Sequence, residues 1–165
     1  MLRFLTAGES HGPGLVTIVE GLPAGIEIEA EGLAAQLGRR RLGYGRGRRM
    51  QIEKDELEIL AGVRHGMTLG SPLAVVIRNT EWARWSDEMS PEAGQPKRPM
   101  TTPRPGHADL AGMLKYDTHD ARNILERASA RETAARTVVG YAAAQLLRRV
   151  AGISVLSHVV AIGPI

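Results

Sequence analysis

The strongest constraint on this chain is the stretch from Ser129 to about Val150. Ala135, Val138, Val139, Ala142, Leu146 and Val150 fall on one stripe, and Arg136, Arg148 and Arg149 fall off it. Apolar residues recurring every three or four positions predict an amphipathic helix, which must bury that stripe against a partner. At its head, Ser129-Ala-Arg-Glu132 has the pattern of a capping box, in which a hydroxyl and a carboxylate satisfy each other's backbone N–H groups. A second helix is predicted from Ala30 to Arg41, with Leu33, Ala34 and Leu37 at helical spacing. Its terminal arginines oppose the negative end of the helix dipole.

The partners read as strands. Leu15 to Glu20 is β-branched and bounded by Gly14 and Gly21, and Arg3 to Ala7 is a plausible neighbour. Leu57 to Val63 and the apolar run Leu73 to Arg78 add two more, and Ile153 to Ile162 returns to strand character after Gly152. The chain has 165 residues, 43% of them apolar, enough for one domain with a buried core. The expectation is an α+β fold with no internal repeat or domain boundary. From about 80 to 106 the sequence is rich in Pro, Gly and charge, and a flexible loop is expected, functional or else disordered.

Composition removes several function classes. There is no cysteine, which excludes a disulfide framework, a thiolate nucleophile and Cys-based zinc or iron–sulfur sites. Aromatic residues make up 4%, leaving few platforms for stacking on single-stranded nucleic acid. No stretch approaches the roughly 20 apolar residues of a membrane span, and the N-terminus meets charge before a secretory apolar region forms, so a cytoplasmic protein is expected. The net charge of +3, from 21 basic and 18 acidic residues, is modest.

Four clusters are candidates for chemistry. Gly8-Glu-Ser-His-Gly12 puts a carboxylate, a hydroxyl and an imidazole in a glycine-bounded loop, with His11 the proton-transfer candidate; a tight turn with both side chains satisfying the backbone is the competing reading. Arg39-Arg-Arg41 and Gly43-Tyr-Gly-Arg-Gly-Arg-Arg49 bring together guanidinium groups that repel one another unless an anion sits among them. The alternatives are a solvated basic loop or a nucleic-acid contact. No dinucleotide fingerprint is present. In Arg104-Pro-Gly-His-Ala-Asp109, proline and glycine fix the backbone before His107. His107, Asp109, Asp117, His119 and Asp120 match no recognised metal-ligand spacing. His65 and His158 read as structural. Finally, Arg127-Ala-Ser-Ala-Arg-Glu-Thr133 surrounds a helix start, where an anion is naturally held; simple capping is the alternative. Recurrence across the clusters suggests one polyanionic ligand and proton transfer.

Taken in order, Gly8-Glu-Ser-His-Gly12, the Arg39 to Arg49 cluster, Arg104-Pro-Gly-His-Ala-Asp109 and Glu126-Arg-Ala-Ser-Ala-Arg-Glu-Thr-Ala134 resemble chorismate synthase, the last enzyme of the shikimate pathway. The resemblance covers essentially the whole chain. It implies a lyase performing an anti 1,4-elimination of phosphate and a ring proton from 5-enolpyruvylshikimate 3-phosphate, with reduced FMN required and no net oxidation. It further implies a β-α-β sandwich with helices packed between antiparallel sheets, assembled as a homotetramer. By resemblance, His11 protonates the departing phosphate and His107 interacts with the reduced flavin. Ser10, Arg40, Arg46, Ser129 and Arg131 match positions near the substrate, with Arg40 and Arg46 also associated with NADPH where flavin reduction is intrinsic. Arg127, Ala128 and Ser129 match an FMN-binding stretch. The expected partners include no nucleic acid and no membrane.

Family members continue beyond the position matching Ile165, so the chain is read as an N-terminal portion with an incomplete sandwich, expected to lack full activity alone. The competing readings are a basic nucleic-acid-binding module, opposed by the acidic run Glu53-Lys-Asp-Glu-Leu-Glu58, and a folded fragment without catalytic function.

Overall fold

A computed structural model describes residues 1–42, 55–161 and 163. In chain order the described elements are β1 (Arg3–Ala7), β2 (Gly14–Glu20), α1 (Ala30–Arg41), β3 (Leu57–Ala61), β4 (Val63–Arg64), β5 (Met67–Thr68), β6 (Leu73–Arg78), α2 (Trp82–Trp85), α3 (Asp109–Tyr116), α4 (Arg122–Arg127) and α5 (Glu132–Ala151). Four strands form an antiparallel sheet in the order β1-β2-β6-β3. Alternation along the paired strands sends Leu15, Thr17 and Val19 to one face, opposite Ile77, Val75 and Leu73 in register. Helices α1 and α5 cover that face.

The core is the seam between these layers. Leu33 and Leu37 from α1 and Ala134, Ala135, Val138 and Ala142 from α5 are buried against Leu15, Val19, Leu73, Val75 and Ile77. Three of the four buried α5 residues are alanines, so the helix axis lies close to the sheet. Thr17 Oγ1 then donates to the Ala135 carbonyl at 3.2 Å, a buried bond between strand and helix. On the opposite sheet face, Leu5 and Ile18 pair across β1 and β2 and are exposed.

Several elements differ from expectation. The long helix begins at Glu132, not at Ser129, and no capping box forms: Arg131 is the boundary residue, and Glu132 turns its carboxylate to Thr6 and Arg136. Tertiary partners outcompete the local cap. The stripe is buried only in its first half, with Val150 exposed, and the helix ends where Gly152 takes a left-handed conformation. The expected strand after Gly152 is not formed; residues 153 to 161 run without regular structure. Arg39 donates to the Ser157 carbonyl and hydroxyl, which ties this segment to α1 instead. Strand β3 stops at Ala61 because Gly62 adopts φ +86°, and Val63 and Arg64 pair with Met67 and Thr68 in a separate ribbon. His65 is an exposed residue of the ribbon's two-residue turn, with φ +51°, and His158 is exposed too, so neither lies in the core. The 80–106 segment contains the single turn α2, which the sequence reading missed.

Leu33 is fully buried where α1 meets the core. Leu33→Ala is expected to cost about 2–5 kcal/mol, read as a lower chemical-denaturation midpoint at unchanged slope.

Candidate active site

The Gly8–Gly12 cluster is the loop that joins β1 to β2. Gly8 stands at its neck with φ +103°, where a Cβ would come within 2.3 Å of the Gly14 carbonyl oxygen, so only glycine closes the hairpin there. Distant residues hold the loop down. Buried Asn79, just after β6, donates through Nδ2 to the carbonyls of Glu9 at 3.0 Å and Gly12 at 2.8 Å. The Ser10 N–H donates to the Glu126 carbonyl at 3.0 Å. Ser129 Oγ, on the turn between α4 and α5, donates to Ser10 Oγ at 2.9 Å and accepts the Arg131 N–H at 3.2 Å. Ser10 and Ser129, 119 positions apart in the chain, thus form one hydroxyl pair.

His11 sits beside that pair in a closed setting. Its backbone N–H donates to Glu126 Oε2 at 2.8 Å, and its Nδ1 lies 2.9 Å from each oxygen of the same carboxylate. Glu126 is itself fully buried and accepts from Arg122 Nη1 at 3.2 Å. Burial pushes the Glu126 carboxyl up, but hydrogen bonds from the His11 ring and backbone, the charge of the histidine and Arg122 outweigh it and hold the group below the usual glutamate range. Trp85 lies against the imidazole with ring centroids 4.1 Å apart, and Arg98 and Arg122 stand 5.1 and 5.2 Å from the indole.

The arginines of the sequence clusters are drawn into specific contacts. Arg131, expected near substrate, is buried, donating to Asn79 Oδ1 at 2.9 Å, to the Arg78 carbonyl and, in a very close contact, to Asp55. Arg41 approaches the other Asp55 oxygen at 3.4 Å. Arg40 donates to Thr133 Oγ1 at 2.8 Å and to the Ala130 carbonyl, which brings the end of α1 to the start of α5. Within the described part of the basic cluster, Arg40 and Arg41 are half-buried and paired within the chain, while Arg39 is exposed. Arg46 lies outside the described residues, as does the rest of the 43–49 run. Arg127 donates to the carbonyl and hydroxyl of Thr6, both at 2.8 Å, and borders a shallow concavity with Ala128, Ser129, Glu132 and Arg136.

His107 stands apart on an exposed loop, its Nδ1 donating to the Pro105 carbonyl at 3.0 Å. The loop is anchored by Arg104, whose backbone N–H and guanidinium make three bonds of 2.8 to 3.0 Å to the fully buried Asp109 carboxylate. Asp120 accepts the N–H groups of Met100 and Arg122 and so fastens the end of the 80–106 segment to α4. Among the described residues, no three His, Asp or Glu gather closely enough to hold a metal ion, and no helix is long and apolar enough to cross a membrane.

The structure brings Ser10 and Ser129 into contact, with His11 next to Ser10 in the loop, Arg40 bonded to the Ala130 carbonyl and Arg127 to Thr6. Sequence reasoning missed Asn79, Asp55, Trp85 and Arg122, and treated Glu126 only as part of a motif. A buried Asn directly after an apolar strand and a Trp pair in a Pro-rich segment were the available signals. Chemically, the arrangement offers a proton donor or acceptor, a hydroxyl pair and guanidinium groups, which suits an anionic substrate undergoing proton transfer.

Comparison with known proteins gives consistent results. The family model described as chorismate synthase matches residues 2–165. Chorismate synthases of Frankia casuarinae and Salinispora tropica are 61% and 60% identical over the whole chain, which covers 44% of each; that of Mycobacterium avium is 56% identical, with 43% of it covered. The chain thus spans less than half the length of these relatives. A solved structure titled "Crystal Structure of Chorismate Synthase" superposes with a TM-score of 0.65 at 44% identity, covering 90% of this chain and 34% of that one.

The Arg104–Asp109 pair makes a pH-dependent contribution of defined sign. Hydrogen bonding from Arg104, opposed by burial, lowers the Asp109 pKa from 3.8 to about 2. A depressed folded-state pKa stabilises the fold above the unfolded value and ceases to do so as pH falls through the folded one. Asp109→Asn is therefore expected to melt below the wild type near neutral pH, with the gap closing between about pH 4 and about pH 2 in thermal scans.

Proposed function

The chain belongs to the chorismate synthase family, and from that premise we propose that the protein catalyses the anti 1,4-elimination of phosphate and a ring proton from 5-enolpyruvylshikimate 3-phosphate, giving chorismate for aromatic amino acid biosynthesis. The observation that carries this reading is the meeting of His11 with the Ser10–Ser129 hydroxyl pair, flanked by Arg40 and Arg127, at the head of α5. A substrate with one phosphate and two carboxylates calls for charge-assisted donors, each worth about 1.5–3 kcal/mol. A phosphate leaves more readily as it accepts a proton, and the shielded imidazole of His11 is the group suited to give it.

Ser10, Ser129, Arg40 and Arg46 are the proposed substrate contacts. Arg131 belongs with them, although as a direct ligand it would exchange its bonds to Asp55 and Asn79 for bonds to substrate.

Reduced FMN is the proposed cofactor. The concavity bordered by Arg127, Ala128, Ser129 and Arg136 supports this, since guanidinium and hydroxyl donors fit an anionic group. Glu132 shares the concavity, with its carboxylate engaged by Arg136 at 2.7 Å and Thr6 at 2.9 Å. Arg127, Ala128 and Ser129 would hold the cofactor and His107 would meet its ring. What bound reduced FMN supplies is an electron-rich ring system able to lend charge to the substrate's π system. NADPH, drawn to Arg40 and Arg46, is the proposed reductant. Residues 1–165 are read as part of one domain with a flexible loop at about 80 to 106, in a cytoplasmic homotetramer.

The test is turnover of 5-enolpyruvylshikimate 3-phosphate with photoreduced FMN under anaerobic conditions, in a chain of the relatives' full length. Chorismate formation is expected, and its absence with correctly folded protein would remove the proposal. His107→Ala is expected to depress turnover while changing stability by no more than about 0.5 kcal/mol, because the side chain is exposed and bonds only to Pro105 among the described residues. Calorimetry and steady-state rates separate the two effects.

A further inference from the structure

We propose that Glu126 is a positioning residue: its buried carboxylate fixes the tautomer and direction of the His11 ring, with the Trp85 indole as the wall against which that ring is held.

The argument begins with what a carboxylate can do. An ionised Glu accepts hydrogen bonds and donates none. With both oxygens of Glu126 2.9 Å from His11 Nδ1, that nitrogen must carry the proton, and proton exchange with a ligand falls to Nε2. Glu126 also accepts the backbone N–H of His11 at 2.8 Å, so it grips both ends of the residue. Its own position is over-determined. Arg122, one helical turn earlier on α4, donates to it at 3.2 Å, and the Glu126 carbonyl accepts from Ser10.

The ring is also held face-on. Trp85 stacks at 4.1 Å and a 32° tilt, and the indole is in turn flanked by Arg98 and Arg122. Among the described residues, the charged groups near His11 include Glu126 and Arg122 from α4 and Arg98 from the 80–106 segment. Glu126 bonds directly to the imidazole through Nδ1. Because α2 carries Trp85, the 80–106 segment takes part in aiming the histidine. Neither Trp85 nor the carboxylate need touch the substrate for this.

The consequence for catalysis rests on the elimination proposed above; the tautomer itself does not. In the full-length protein, nitrogen-15 spectra of labelled histidine are expected to show His11 protonated at Nδ1 throughout the pH range in which the fold persists. A His11 found as the Nε2–H tautomer with a bare Nδ1 would overturn the assignment, whatever the enzyme's reaction. Glu126→Gln keeps the shape but lets the amide present either end, so the single tautomer should be lost. In steady-state assays it should lower kcat by about 100-fold while KM changes by less than about threefold. Unchanged tautomer and kcat in a folded variant would sink the proposal. If the variant does not fold, the wild-type spectrum alone decides. Trp85→Phe, which retains a ring against the imidazole, is expected to keep the tautomer and most of kcat. Loss of the tautomer there would make the indole, and not the carboxylate, the controlling group.

Discussion

The close seating of α5 on β2 is the contact on which the rest of the molecule depends. Alanines at 134, 135 and 142 remove the side-chain bulk that would otherwise keep a helix away from a sheet, and the Thr17–Ala135 bond sets how far along the strand the helix slides. Once that register is set, the start of α5 lies next to the loop between β1 and β2. Ser129 meets Ser10, Arg127 reaches Thr6, and Arg131 passes beneath the loop to Asn79 and Asp55. A bulkier residue at either end of that stripe would move the helix start and separate all these pairs together.

The same proximity explains why polar groups near the helix start do not serve the helix itself. Ser129 and Glu132 have the sequence of a local cap, yet Ser129 is shared with Ser10 and Arg131, and Glu132 bridges Thr6 and Arg136. Burial pushes the Glu132 carboxyl up, while bonds from Arg136 and Thr6 and the nearby Arg127 charge leave it net lowered. The helix end thus gives up local bonds in favour of ties to the first strand and first loop. Arg136 continues the line by standing over Phe4, 5.9 Å from its ring.

Much of the framework was legible because it is written in short-range patterns. Arg3–Ala7 forms as the neighbour of the β-branched strand after Gly14, Ala30–Arg41 agrees with helical spacing, and Leu73–Arg78 agrees with a continuous apolar run. Where tertiary forces compete, the pattern misled: Ile153 to Ile162 reads as a strand, but residues 153 to 161 join no sheet, and a bond from Arg39 holds the segment at Ser157 instead. At the site, the motif residues His11, Ser10, Ser129 and Arg127 stand together, since each lies in a compact signature. Their supports were not legible. Asn79 is one polar residue after a strand, Asp55 adjoins a basic cluster it neutralises in part, and Trp85 lies in a segment whose composition suggests no structure. Such residues matter through partners far away in the chain, and no local window contains both members.

Apart from the local bond from the Gly12 N–H to the Glu9 carbonyl, the fastenings of the Gly8–Gly12 loop described above are of this distant kind. His11 to Glu126 spans 115 positions, Ser10 to Ser129 spans 119, and Asn79 reaches back 67 to Gly12. The β1–β2 hairpin that carries the loop is local, but a chain must close long loops before these distant bonds exist, so the imidazole gains its orientation only as the later layers assemble. The same topology works in reverse. Releasing the loop means breaking its bonds to Glu126, Ser129 and Asn79 together, which couples the order of the site to the cooperativity of the whole fold.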